Sequence, residues 1–249
     1  MGTMYVPVPD GFSVRASAVR YTEVPACDNL SDVVHCFWEL KTVTTLAEDF
    51  LYHALPDACV NVLFNRMDTR IAGITALRTK ATTLNLGTAF HYVGVQLYPG
   101  VWQGDPREIL DRYVGSPYEG ALPLVAWGRR LEGLALPGMA PILSDLLRWC
   151  IDHGHARASA KTACILRNID RVRSVADMAT LLGLSPRQVQ RTLRRLTGFA
   201  PHDLLKILRL QRSFRMHHLD LYADQAHYIN SFRRSVGCTP LQYRRRFGV

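Results

Sequence analysis

Long apolar runs are missing from this 249-residue sequence. Nowhere does it hold the roughly 18 consecutive apolar residues that a membrane-spanning helix needs. Its beginning, MGTMYVPVPDGF, lacks the basic stretch and following apolar stretch of a secretion signal. The expectation is a cytoplasmic protein with no membrane partner. The six cysteines (Cys27, Cys36, Cys59, Cys150, Cys164, Cys238) include no Cys-x-x-Cys pair and no Cys/His cluster at zinc spacing. Free, buried thiols are expected, because reduced cysteines of cytosolic proteins mostly behave as small apolar side chains. The nine histidines offer no His-x-His with a following Glu. His53 and His91 stand alone, and the His217-His218 pair is expected in solvent. No metal and no cofactor are expected. A Gly-x-Ser-x-Gly elbow, a phosphate-binding glycine loop and a His-Glu-x-x-His are absent as well, so the chain is not expected to be an enzyme.

What is present points to two folded units. A hydrophobic share of 48% is that of a globular protein with real cores. The net charge of +9 is unevenly spread: residues 151–249 hold 18 Lys and Arg against 6 Asp and Glu, a net of +12, and the preceding 150 residues carry −3. Almost all cations of the basic third are arginines, whose guanidinium forks bind phosphates and base edges bidentately. The boundary is expected in residues 152–160, where His153, Gly154 and Ser159 sit among small residues. This divides the chain into a sensing or dimerising domain, 1–152, and a DNA-binding domain, 160–249.

The first domain reads as strands and turns. Val60, Val62 and Phe64 alternate with Asn61, Leu63 and Asn65; Val93, Val95 and Leu97 alternate with Tyr92, Gly94 and Gln96. Residues 33–40 and 70–75 look like further strands. An α+β protein is expected, with a β-rich barrel- or sandwich-like N-terminal domain that also carries helices, and an all-α C-terminal domain. A helix is expected from Asp105 as N-cap, with Pro106 at its first position, Glu108 as return acceptor and Ile109, Leu110, Tyr113 and Val114 on its apolar face. Helical spacing continues over 122–134 and 139–152.

Residues 175–196, VADMATLLGLSPRQVQRTLRRL, have the spacing of a helix-turn-helix. Ala179 allows close helix approach, Gly183 supplies a positive φ at the turn, and Val189 anchors the second helix to the first. Ser185, Pro186 and Gln188 spell a capped helix start. At about 100° per residue, Leu193 and Leu196 share the inward side with Val189, whereas Arg187, Gln190, Arg191 and Arg194 face outward. Arginine pairs with guanine and glutamine with adenine in the major groove, and Arg195, at the edge, suits phosphate.

These residues, with the exit Gly198-Phe199-Ala200-Pro201, resemble the AraC/XylS family of bacterial transcription regulators. Residues 222–247, with Gly237-Cys238-Thr239-Pro240 and Tyr243, resemble the second recognition helix and signature of that family. The resemblance implies two helix-turn-helix units joined by a long helix, each placing a helix in the major groove of double-stranded DNA. In the second unit Gln225, His227, Asn230 and Arg233 match the exposed face. The chain departs from the pattern between Arg209 and Tyr222, where around a dozen residues of the family are missing and Leu221 stands in place of the turn glycine. Tyr228 and Phe232 then need another packing partner: the connecting helix, a second subunit, or none, in a chain with impaired binding.

Residues 35–40, 55–62 and 93–100 resemble the N-terminal domain of a subset of these regulators. The resemblance implies that this domain binds an effector or dimerises. Trp38, His53, Asp57 and Tyr98 are the expected lining of an effector pocket, since a sheet that buries one face leaves a concave site wherever its interior is incompletely packed. The reading is a sequence-specific DNA-binding regulator, with RNA polymerase, a small-molecule effector and a second copy of the chain as further expected partners. DNA-repair methyltransferases with a similar helix-turn-helix carry a zinc-binding cysteine cluster that this sequence lacks. The alternative is an interaction protein that sequesters a related regulator because its own second unit is incomplete.

Overall fold

In the computed structural model, the described residues are Tyr5, Pro7, 18–75, 77–109, 115–215, 217 and 220–247. The described residues of the first half form seven strands: β1 (Val19–Val24), β2 (Val34–Thr42), β3 (Leu51–Ala54), β4 (Val60–Asn65), β5 (Ala72–Ile74), β6 (Thr82–Asn85) and β7 (His91–Leu97). Five of them form one antiparallel sheet in the order β1-β2-β7-β4-β5, and β3 pairs with β6 in a separate ribbon. Strands β1, β3 and β6 escape the sequence reading: β3 and β6 span only four residues each, and half of β1 and of β6 is exposed.

The period of two sends the two residue sets of each strand to opposite faces. Phe37, Val62, Phe64, Val93, Val95 and Leu97 are buried against α1 (Leu124–Arg130) and α2 (Leu136–Asp152), whose Met139, Leu143, Leu146, Leu147 and Cys150 form the facing stripe. Each such side chain contributes about 1.5–3 kcal/mol of transfer free energy, so this layer dominates the stability of the first half. The other face, with Leu40, Leu63 and Tyr92, is covered by Phe50, Leu86, Phe90 and the β3–β6 ribbon. The sheet does not close into a barrel: β1 and β5 remain its edges. Helices cover one face and the ribbon the other, which buries both apolar sets without closure.

One local expectation needs correction. Asp105 does cap a helical start, accepting from Arg107 N, with Pro106 at its first position, but the described helix is a three-residue 3-10 turn. Glu108 does not return to the cap: its carboxylate accepts from Ala121 N at 2.8 Å and from the Tyr118 hydroxyl. Ile109 makes an isolated parallel bridge with Ile74, and Leu110, Tyr113 and Val114 lie outside the described residues. Residues 152–160, expected as a linker, are tied to the first half. Ala156 is buried and bridges Trp102, and Arg157 N donates to Val101 O at 2.9 Å.

From residue 160 onward the chain is helical: α3 (Ala160–Arg167), α4 (Val175–Leu182), α5 (Pro186–Thr197), α6 (Pro201–Ser213), α7 (Gln225–Val236) and α8 (Pro240–Phe247). Ile165, Met178, Val189, Leu193, Leu204 and Leu208 form the core of the first four. Tyr228, Phe232, Tyr243 and Phe247 form a second, aromatic core with Leu210 at the end of α6. Both cores take in residues of the sheet domain, Ala58 and Cys59 in the first and Leu55 in the second. No described helix is long and apolar enough to cross a membrane.

Gly94 sits between Trp38 on β2 and Leu63 on β4 in the sheet register. A Cβ there would lie 2.5 Å from Trp38 Cζ2 and 2.9 Å from the Val62 carbonyl oxygen, and a carbonyl in mid-sheet cannot yield. Gly94→Ala is expected to lower the unfolding free energy by about 1–3 kcal/mol, the range for overpacking a well-filled site. Urea unfolding monitored by circular dichroism checks this.

Candidate functional site

Two places gather chemistry. The first is the pair α4 and α5. Ser174 caps α4 by accepting from Asp177 N at 3.1 Å while Asp177 Oδ2 accepts from Ser174 N at 2.9 Å. The Asp177 carboxyl is held below its ordinary range, chiefly by the Arg173 backbone N–H. Gly183 takes φ 63° and ψ 33°, a left-handed conformation that stops α4. Ser185 and Gln188 then exchange reciprocal bonds of 3.3 and 2.8 Å, which fix the first turn of α5 behind Pro186. Val189 and Leu193 are fully buried, so the orientation of α5 is set. Arg187, Gln190, Arg191, Arg194 and Arg195 are all exposed, and none of these arginines has an ion-pair partner among the described residues.

Helix α7 repeats the pattern more weakly. Asp224 caps it, accepting from His227 N at 2.7 Å. Gln225, His227, Asn230 and Arg233 are exposed, while Tyr228, Phe232 and Val236 are buried. Tyr228 and Phe232 find their packing partners within the chain. The Phe214 ring, immediately after α6, lies 5.6 Å from Phe232 and 5.5 Å from Tyr243, and Tyr222 lies 5.2 Å from Tyr228. Leu221 is partly buried against the same cluster, and Leu55 reaches it from the sheet domain.

The second place is a cavity of about 100 Å³ between the ribbon-covered face of the sheet and the ribbon. Trp38 and Asp57 line it; His53 and Tyr98 do not. Because Gly94 has no side chain, the Trp38 indole can lie over β7, and its Nε1 donates to Asn61 Oδ1 on β4 at 2.9 Å. Asp57 is held at both oxygens: Oδ1 accepts from Cys59 N at 2.9 Å and Oδ2 accepts from Gln96 Nε2 at 2.7 Å. The Oε1 of Gln96 in turn lies 2.8 Å from His35 Nδ1. The rings of Tyr21, Tyr52 and Tyr92 and the guanidinium-bearing Arg78 complete the lining. Aromatic walls and the polar side chains of Asp57, Asn61, Gln96 and Arg78 thus share one cavity.

Alternation explains the misplaced pair. Tyr52 and Ala54 of β3 line the cavity, so His53 between them points the other way. Its ring stacks on Phe247 at 5.2 Å and lies 5.8 Å from Tyr243, at the junction with α8. Tyr98 follows β7 and packs between the sheet core and the helical core, 5.7 Å from the His35 ring; burial raises its hydroxyl to about 12. The sequence does not single out Asn61 and Gln96, because a polar residue alternating with valines reads as solvent-facing. The available signal was that both strands carry a carboxamide at such a position.

A family model described as a domain of unknown function, DUF6597, matches residues 22–104. No curated protein and no solved structure matches the chain. The chain therefore holds a DUF6597 domain, comprising most of the sheet and most of the residues that line the cavity, followed by a helical C-terminal region.

Burial holds the His53 imidazole below its ordinary 6.5, and the nearby Arg246 pushes it the same way. His35 and His91 are also lowered, again chiefly by burial. All three bind protons more readily unfolded than folded, so their contribution is complete above the ordinary value and is lost as pH falls below it. The urea midpoint is expected to drop between pH 7.5 and 5, and His53→Phe should flatten part of that decline. An unchanged slope in the variant would show that His53 is not held neutral by the α8 junction.

Proposed function

We propose that this chain is a sequence-specific double-stranded-DNA-binding transcription regulator of the AraC/XylS type whose sheet domain responds to a small-molecule effector. The observation that carries the reading is α5. Its inner side is fixed by Val189 and Leu193, its start is fixed by a reciprocal cap, and its outer side is a row of arginines without ion-pair partners among the described residues. A helix of this kind fits the major groove, where Arg187, Arg191 and Arg194 meet guanine edges and phosphates, Gln190 suits adenine, and Arg195 neutralises backbone charge. The α7 face adds Gln225, His227, Asn230 and Arg233. The match to DUF6597 supports the same reading, since that domain is found in AraC-like regulators.

The route from effector to DNA is short. Leu55, Pro56, Asp57 and Cys59 line the cavity. Leu55 also belongs to the aromatic core under α7, Cys59 belongs to the core of α3–α6, and the Pro56 carbonyl accepts from Gln211 Nε2 of α6 at 2.9 Å. A ligand that prefers one position of this turn shifts the population of helix arrangements by its differential affinity.

Gel-shift against fragments from a binding-site selection tests the function. Arg191→Ala is expected to weaken the specific complex by about 1–3 kcal/mol, the value of one good base contact. Specific binding should also fall steeply with salt, with a log–log slope of about −0.9 per phosphate contact. A slope near zero would sink the proposal, and the absence of any specific shift would favour the sequestering alternative. In a thermal-shift screen of the full chain against small aromatic metabolites, a true effector should raise the melting temperature of the wild type and not that of Asn61→Leu.

A further inference from the structure

Beside the reading helices lies a second concavity, a cleft of about 700 Å³ between α6, α7, the start of α4 and residues 79–80 of the sheet domain. We propose that this cleft binds a small molecule carrying two or more phosphate groups. Lys80, Arg173, Lys206, Arg209 and Arg234 line it, and among the described residues the only carboxylate in the lining, Asp203, is 3.4 Å from Lys206. Like charges converging on one concave space repel one another until an anion enters, and low-dielectric walls strengthen that attraction relative to an open surface. Hydrogen-bonding groups accompany the cations: Asn230, Ser231 and Ser235 of α7 also line the cleft. Its volume is that of sites for whole small ligands and exceeds what one phosphate fills.

The occupant inferred is a free small molecule and not the duplex, for two reasons. No residue of α5, the best-formed reading helix, lines the cleft. One wall belongs to the sheet domain, which is fixed beside α7 by the bond from Ala81 N to Ser235 O at 2.7 Å. A bound polyphosphate would therefore clamp Lys80 of one unit to Lys206, Arg209 and Arg234 of the other. His227 and Asn230 line the cleft and are also part of the outward face of α7, so occupancy would withdraw that face from other use. The inference does not depend on the regulator reading, because an anion in this cleft needs no DNA.

Titration calorimetry of the full-length protein with tripolyphosphate, orthophosphate and sulfate at constant ionic strength tests it. Tripolyphosphate is expected to bind one to one and about tenfold or more tightly than orthophosphate, a difference that reflects simultaneous contacts and not bulk screening. The double variant Lys80→Ala/Arg234→Ala should lose that preference, while Arg129→Ala, an exposed arginine on α1, should keep it. The altered side chains are exposed, and circular dichroism melts of each variant confirm folding. Equal weak binding of all three anions would overturn the proposal, as would an equal loss in Arg129→Ala. A random-sequence duplex supplies the last arm: if the double variant loses duplex binding while tripolyphosphate never binds the wild type, the cleft is a backbone contact and the proposal fails.

Discussion

The turn at Asp57-Ala58-Cys59 is the constraint on which the rest of the molecule hangs. Ala58 adopts φ 62°, a left-handed conformation that costs a residue with a Cβ about 1–2 kcal/mol. The Asp57 carboxylate offsets this by accepting from Cys59 N on one side and from Gln96 Nε2 on the other. With the turn so held, Leu55, Pro56, Ala58 and Cys59 reach the helical half, and Gln211, 1% exposed in α6, spends its amide on the Pro56 carbonyl. A buried side-chain amide left unpaired would cost about 1–3 kcal/mol, so α6 and the turn hold each other in place. The same carboxylate lines the cavity, so the cavity lies against the turn that joins the two halves.

The last two helices illustrate how packing across the chain holds a helix with an apolar side. Helix α7 presents Tyr228, Phe232 and Val236 along one side, which no isolated helix could leave in water. Phe214 at the end of α6, Tyr222 in the following loop and Tyr243 and Phe247 of α8 surround it with aromatic rings. On the side of the sheet domain, Leu55 and the His53 ring close the cluster.

Much of the helical half could be read directly from the chain. Gly183, Ser185, Pro186, Gln188 and the Val189–Leu193 spacing act within one or two turns of backbone, and the observed caps and left-handed glycine match them. Central strands β2, β4 and β7 were legible for the same reason, as alternation is a local property. The helix read after Asp105 shows the limit of such signals. Its cap formed as expected, yet Glu108 turned to Tyr118 and Ala121, partners too distant in sequence for any local rule to include.

The sequence by itself determined the α+β division, the charge asymmetry, the helix-turn-helix spacing and which residues of α5 face outward, because each depends on composition or on short-range periodicity. Tertiary structure alone decided that the sheet stays open, that Asn61 and Gln96 face a cavity while His53 turns away from it, and that Tyr228 finds its partners across the chain. A period of two assigns residues to opposite faces of a strand but carries no information on what covers either face. That choice was made by long-range burial, of one face under α1 and α2 and of the other under the β3–β6 ribbon.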